Sequence, residues 1–89
     1  MGNFHLMKTL TYKRINAIKE STPKLVGKCI REERERQNLT QTELAEAVGK
    51  DRQYLYKIES GKVTPNIATI AILAEALGVP MNELLSIGR

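Results

Sequence analysis

The sequence predicts an all-α fold: a compact domain of five short helices with a helix-turn-helix at its centre, preceded by a short N-terminal arm. Three observations carry this reading. Apolar residues recur at three- and four-residue spacing in successive short segments, with Gly or Asn standing where those segments end. The 42% hydrophobic content comes without Trp and with only Phe4, Tyr12, Tyr54 and Tyr56 as aromatics, which leaves an aliphatic core suited to packed helices. The stretch from Thr40 to Gly61, TQTELAEAVGKDRQYLYKIESG, contains two capped helical patterns separated by Gly49.

Residues 1–23 read as a basic N-terminal arm, with Lys8, Lys13, Arg14 and Lys19 against a single Glu20. Phe4, Leu6, Leu10 and Tyr12 alternate loosely, which allows a short strand near Lys8–Lys13, and Arg14–Lys19 can form a turn or two of helix. Ser21-Thr22-Pro23 is expected to break the pattern, because proline disfavours a helical conformation at the residue before it. Such an arm is either a loose tail, a contact with DNA, or an element that adds to a dimer. His5 stands without a second His or a nearby Cys, so no metal site is expected.

The first helix of the domain, residues 24–89, is expected to start at Pro23 or Lys24 and to end at Gln37, with Asn38 closing it. Val26, Cys29 and Ile30 supply its buried face, and Glu32, Glu33 and Glu35 interleave with Arg31, Arg34 and Arg36, a solvated face with weak ion pairs for most of them, Arg34 being the exception. Thr40 and Glu43 then form a capping box, Leu44, Ala45 and Val48 share one face, and Gly49 permits the positive φ of a turn. Asp51 caps the next helix, in which Leu55, Ile58 and Glu59 point inward while Gln53, Tyr56, Lys57 and Ser60 point outward. Asn66 caps a fourth helix, Ile67–Leu77, with a stripe of Ile67, Ile70, Leu73, Ala74 and Leu77. Ala71 and Ile72 make that helix apolar almost all round, which predicts a central buried position. Gly78 ends it, and Val79-Pro80 leads into a last turn at Met81–Leu85.

A chain of 89 residues has little room for both a core and a catalytic cleft, and no Gly-rich phosphate loop, paired Cys or nucleophile–base pair is present. No enzyme activity and no cofactor are therefore expected. The net charge of +4 and pI near 9.4 fit a nucleic-acid partner. Cys29 is the single cysteine, so no intramolecular disulfide is possible and nothing calls for an oxidising compartment. No apolar run reaches the length of a membrane span, and no signal-peptide block is visible. The expected location is a cytosol that holds the DNA, as in a prokaryote or a phage-infected cell.

The segments TQTELAEAVG, KDRQYLYKIESGKVTPN and LAEALGV together resemble the Cro- and Xre-type helix-turn-helix repressors, the lambda-repressor-like group, over about Leu25 to Leu85. The resemblance implies duplex DNA as partner, with the helix at about 51–60 in the major groove and repression favoured over activation. Arg52, Gln53 and Lys57 carry the long donors and acceptors that base edges require, and their positions match base-contacting positions of the family. Gln41 is the first candidate for a phosphate contact, followed by Lys62, Thr40, Lys50, Ser60 and Asn66. Tyr54 and Tyr56 either pack on the DNA backbone or cover apolar surface. The resemblance also implies an ion pair between Arg34 and Glu59, and a homodimer on an inverted repeat through the C-terminal region of Leu84, Leu85 and Ile87. Ordinary core packing is the other role open to those three. Two further readings use the same fold: an antitoxin that neutralises a toxin partner, and a coactivator docking on a protein such as polymerase.

Overall fold

The computed structural model describes residues 6–86. Five helices follow one another: α1 (Tyr12–Arg36), α2 (Gln41–Ala47), α3 (Arg52–Glu59), α4 (Ile67–Leu77) and α5 (Met81–Leu84). No strand occurs among the described residues. The core between the helices is aliphatic. Val26 and Ile30 of α1 meet Leu44 and Ala45 of α2, Leu55 and Ile58 of α3, four residues of α4, and Leu84 of α5. Leu39, Val48, Tyr54, Val79, Met81 and Leu85 close its edges.

The first helix departs from expectation in both position and length. It begins at Tyr12, where Thr11 caps it by accepting the Arg14 backbone N–H at 3.0 Å, and runs 25 residues without interruption through Pro23. The strand expected near Lys8–Lys13 is absent: residues 6–11 have no regular structure, and Tyr12 and Lys13 begin the helix. A lone strand would leave its backbone groups without a ladder partner, whereas a cap at Thr11 with the helix formers Lys13, Arg14 and Ala17 after it favours a helix. Phe4, the first residue of the alternation, lies outside the described residues. Pro23 does not break the helix because its missing N–H frees only the Lys19 carbonyl, and Lys19 is exposed, so water can satisfy that group. The change at Pro23 is one of contact. Every described residue before it is exposed, and from Pro23 onward α1 turns one face to the body.

That face approaches α3 closely at Gly27. A β-carbon there would sit 2.3 Å from the Ile58 carbonyl oxygen and 2.6 Å from that of Glu59, so only glycine lets the two backbones meet. Gly61 plays the reciprocal part: a β-carbon on it would fall 2.9 Å from the Lys24 Cα. Cys29 is half-buried on the side of α1 that faces α5 rather than enclosed in the core.

Helix α4 is not the central buried helix its composition suggested. Ile70, Leu73, Ala74 and Leu77 are buried, but Ile67 is 65% exposed and Ile72 is 55% exposed, with Ala71 also exposed. Helices cover only one side of it, and the i, i+3, i+4, i+7 stripe fills that side, so overall apolarity is a poorer guide than spacing. Asn66 caps it through the Thr69 N–H at 2.8 Å and left-handed Gly78 terminates it. At α5 the N-cap residue is Pro80, and no side-chain capping bond is made.

Candidate nucleic-acid interface

Helices α2 and α3 are set by local capping before any tertiary contact is counted. Thr40 accepts the Glu43 N–H at 3.0 Å, and Glu43 accepts the Thr40 N–H at 2.8 Å. Gly49 takes φ +74° in the turn, which places Asp51 to accept the Tyr54 N–H at 2.9 Å and start α3. Leu44 and Ala45 of α2 and Leu55 and Ile58 of α3 then dock into the core.

A buried ion pair fixes the pair of helices to α1. Arg34 is 8% exposed and Glu59 is 5% exposed. The Arg34 guanidinium donates from Nε to Glu59 Oε2 at 2.7 Å and from Nη2 to Glu59 Oε1 at 2.9 Å, a bidentate fork. Its remaining nitrogen, Nη1, donates to the Leu39 carbonyl at 2.7 Å, so the guanidinium also holds the loop between α1 and α2. These bonds to Glu59 push the Arg34 pKa further up, against the opposing effect of burial. Among the described residues no buried side-chain polar atom lacks a partner.

The pair continues outward to the surface. Gln41 Nε2 donates to Glu59 Oε1 at 3.0 Å, and Arg52 donates from Nη1 to Gln41 Oε1 at 3.1 Å. An unbroken relay therefore runs from Arg34 in the core through Glu59 and half-buried Gln41 to exposed Arg52. Two of its four members stand in α1 and α2 and two in α3, so it joins three helices.

Arg52, Gln53, Tyr56 and Lys57 are all exposed on α3, with Lys50 before it and Ser60 and Lys62 after it. Lys50, Arg52, Lys57 and Lys62 make this surface cationic, because the Glu59 carboxylate is inside and Asp51 is the single exposed acid in the stretch. Tyr54 is half-buried against the core, with Lys50 Nζ 5.3 Å from its ring centre. Tyr56 lies outside, and both Arg52, at 5.9 Å, and Lys62, at 5.0 Å, lie over its ring. The two tyrosines thus differ in place: Tyr54 seals apolar surface, and Tyr56 gathers cations on the exposed side. Sequence reasoning missed these stacks and the Arg52–Gln41 bond. One of the stacks had a signal, since Arg52 and Tyr56 are an i, i+4 pair within α3.

Thr40 and Asn66 are exposed, but their side chains are engaged as caps, and the Ser60 hydroxyl donates to the Lys57 carbonyl at 3.3 Å. Gln53 and Lys57 form one wall of an open cleft completed by Val63, Thr64, Pro65 and Thr69. At the other end of the chain Leu84 is buried in the core and Leu85 is half-buried, while Ile87 lies outside the described residues.

This arrangement of two capped helices, docked by an ion pair and presenting a cationic outer helix, defines a helix-turn-helix DNA-binding protein. A family model described as helix-turn-helix matches residues 30–84, and the chain belongs to that Cro/C1-type family of transcriptional regulators, which are not enzymes. It is 36% identical over 61 residues to the ImmF control region 10 kDa protein of Bacillus phage phi105, covering 68% of each chain. It is 35% identical over 60 residues to the immunity repressor protein of the same phage, covering 67% of this chain and 42% of the repressor. The crystal structure of the hypothetical transcription factor NHTF from Neisseria superposes with a TM-score of 0.68 at 25% identity, covering 93% of this chain and 88% of that one. That likeness extends well beyond residues 30–84 and so takes in much of α1. No helix among the described residues is long and apolar enough to cross a membrane.

Proposed function

We propose that the chain is a sequence-specific transcriptional repressor that binds an inverted-repeat operator as a homodimer, each α3 lying in the major groove. The observation that carries this reading is the exposed cationic face of α3, held rigid by the buried Arg34–Glu59 pair. In this reading Arg52, Gln53 and Lys57 meet base edges. Arg52 suits the O6 and N7 acceptors of guanine and Gln53 the N6 and N7 of adenine, each good pair contributing about 1–3 kcal/mol of discrimination. Gln41 and Lys62 lead the phosphate contacts, with Thr40, Lys50, Tyr56, Ser60 and Asn66 around them and Tyr54 behind Lys50. The likeness to a phage immunity repressor supports repression over activation.

Two-fold symmetry sets the half-sites about one helical turn apart, ~34 Å. Because Leu84 is committed to the core, pairing through the C-terminal end would rest on half-buried Leu85 and on Ile87. The test is selection of bound sequences from a random duplex pool, followed by Arg52→Ala. A symmetric motif is expected, with preference relaxed at one base position per half-site in the variant. Equal loss of affinity for selected and random DNA would overturn the base-reading role of Arg52.

A further inference from the structure

The first half of α1 stands away from the body. Residues 12–22 are all exposed, and the molecule measures 52 Å along its long axis against 25 and 20 Å across. These eleven residues extend a helix that the body nucleates, but they bury no side chain of their own, and most helical stability in proteins comes from packing of an apolar face. Pro23 weakens the junction further by removing one helical hydrogen bond. A partner packed on this segment would add the burial that it lacks.

The segment carries the pattern for it. Ile15, Ile18, Thr22, Leu25 and Cys29 recur at spacings of three and four, forming one stripe to the side of the face that docks on α3. Ile15 is 38%, Ile18 36% and Leu25 42% exposed, so the stripe is open to solvent. It begins on the projecting half and continues along the body. There it ends at a groove between α1 and α5 lined by Cys29, Glu32, Glu33, Arg36, Glu83 and Leu84.

Charge selects the occupant and its direction. The projecting half is basic, with Lys13, Arg14 and Lys19 against Glu20, whereas the groove at the other end of the stripe holds three glutamates against one arginine. Arg36 is engaged with Glu33 there and also feels the Glu83 carboxylate, so the lining keeps an excess of two acids over bases. Parallel pairing of two α1 helices would set each basic half beside its copy. Antiparallel pairing sets it beside the acidic groove instead. With Thr22 on the two-fold axis, Ile15 meets Cys29 of the second copy, Ile18 faces Leu25, and Arg14 comes within a turn of Glu32. The basic tip then lies as far from the axis as the groove does.

We propose that α1 is the dimerisation element of this protein: its exposed Ile15–Ile18–Thr22–Leu25–Cys29 stripe pairs antiparallel with the same stripe of a second copy. This deepens the dimeric reading above by naming the surface, and it frees the C-terminal end from that role.

The test has three arms. In sedimentation at micromolar concentration without DNA, the wild-type chain is expected at twice its 10.0 kDa mass, and Ile15→Gln/Ile18→Gln at the single mass with its cooperative unfolding retained. Neutral glutamines leave the charge facing DNA unchanged. Under mild alkaline oxidation Thr22→Cys/Cys29→Ser is expected to form a disulfide between copies. The wild type is not, because antiparallel pairing holds the two Cys29 residues ~21 Å apart, seven helical residues on each side of the axis. On DNA, the glutamine variant is expected to keep the wild-type affinity for an isolated half-site and to lose cooperative binding to the inverted repeat.

A wild-type monomer in solution, or a glutamine variant that remains dimeric, overturns the α1 proposal and leaves operator binding by another dimer intact. Disulfide formation through wild-type Cys29 overturns the antiparallel direction and with it the proposal. A glutamine variant with reduced half-site affinity and unchanged mass would show instead that the arm lies on DNA. A wild type that binds only single half-sites, with no symmetric motif selected, would refute the dimeric repressor reading itself.

Discussion

Replacing Arg34 with Met removes one member of a buried pair and leaves the Glu59 carboxylate, 5% exposed, with only the Gln41 amide as donor. Breaking a buried pair in this way costs about 3–5 kcal/mol. A chain of 89 residues has a total stability of about 4–13 kcal/mol at the usual ~0.05–0.15 kcal/mol per residue. The variant is therefore expected to be largely unfolded at the lower end of that range, and strongly destabilised at the upper end. Replacing both partners, Arg34→Met/Glu59→Leu, removes the stranded charge, and apolar replacement of a whole pair is close to neutral in other proteins. Here it should recover most of the loss but not all of it, since the Leu39 carbonyl and the Gln41 amide each lose a partner at about 1–3 kcal/mol if left dry. Urea denaturation followed by helical circular dichroism measures both, with each ~1 kcal/mol moving the midpoint by up to ~1 M at a slope near 1 kcal/mol/M. If the single variant loses less than ~1 kcal/mol, or the double variant is no more stable than the single one, the pair does not hold the helices as argued.

Three further outcomes are expected. Gly27→Ala should destabilise the fold by about 1–3 kcal/mol despite alanine's higher helix propensity, because its β-carbon meets the Ile58 and Glu59 carbonyls; a thermal midpoint at or above wild type would refute the close-approach argument. The Arg36 side chain and then Gln37 hydrogen-bond Glu33 and hold its pKa below the ordinary carboxylate value. A depressed pKa in the folded state stabilises it above the unfolded value and is lost as pH falls through the folded one. Glu33→Gln should therefore flatten the acid limb of the stability curve below about pH 4.5 and leave its shape above that pH unchanged. Gln41→Ala should keep the fold while freeing Arg52, so that affinity falls for all DNA sequences and preference at the Arg52 position broadens; unchanged binding to both selected and random DNA would argue against the relay.

The central part of this fold was legible because its signals are local. Thr40 with Glu43, Asp51 and Asn66 each satisfy backbone groups within three residues, so their helices are written in adjacent letters. The start of α1 was misread for the opposite reason. Proline after threonine is a sound break signal on average, but here the one carbonyl it frees is reachable by water. The exposure of α4 depends on how many neighbours surround it, which its own composition does not state. At the interface, spacing separated outward from inward positions on α3, but the engagement of Arg52 by Gln41 spans 11 positions and has no sequence period. Gly27 shows the same limit: its own segment does not say why a glycine stands there, and only the approach of α3 explains it.

The relay from Arg34 to Arg52 also bears on how this protein could acquire a new operator. Among the described residues the side chains of Gln53 and Lys57 make no hydrogen bond, so in the proposed readout either can be exchanged without disturbing the fold. Arg52 is different. It is the outermost member of a chain that ends in the core, and replacing it strips Gln41 of its donor and loosens the amide that steadies Glu59. Drift in operator preference should therefore run freely at two positions, whereas change at the third requires a matching change at Gln41. Paralogues that diverge in target would be expected to swap residues 41 and 52 as a couple.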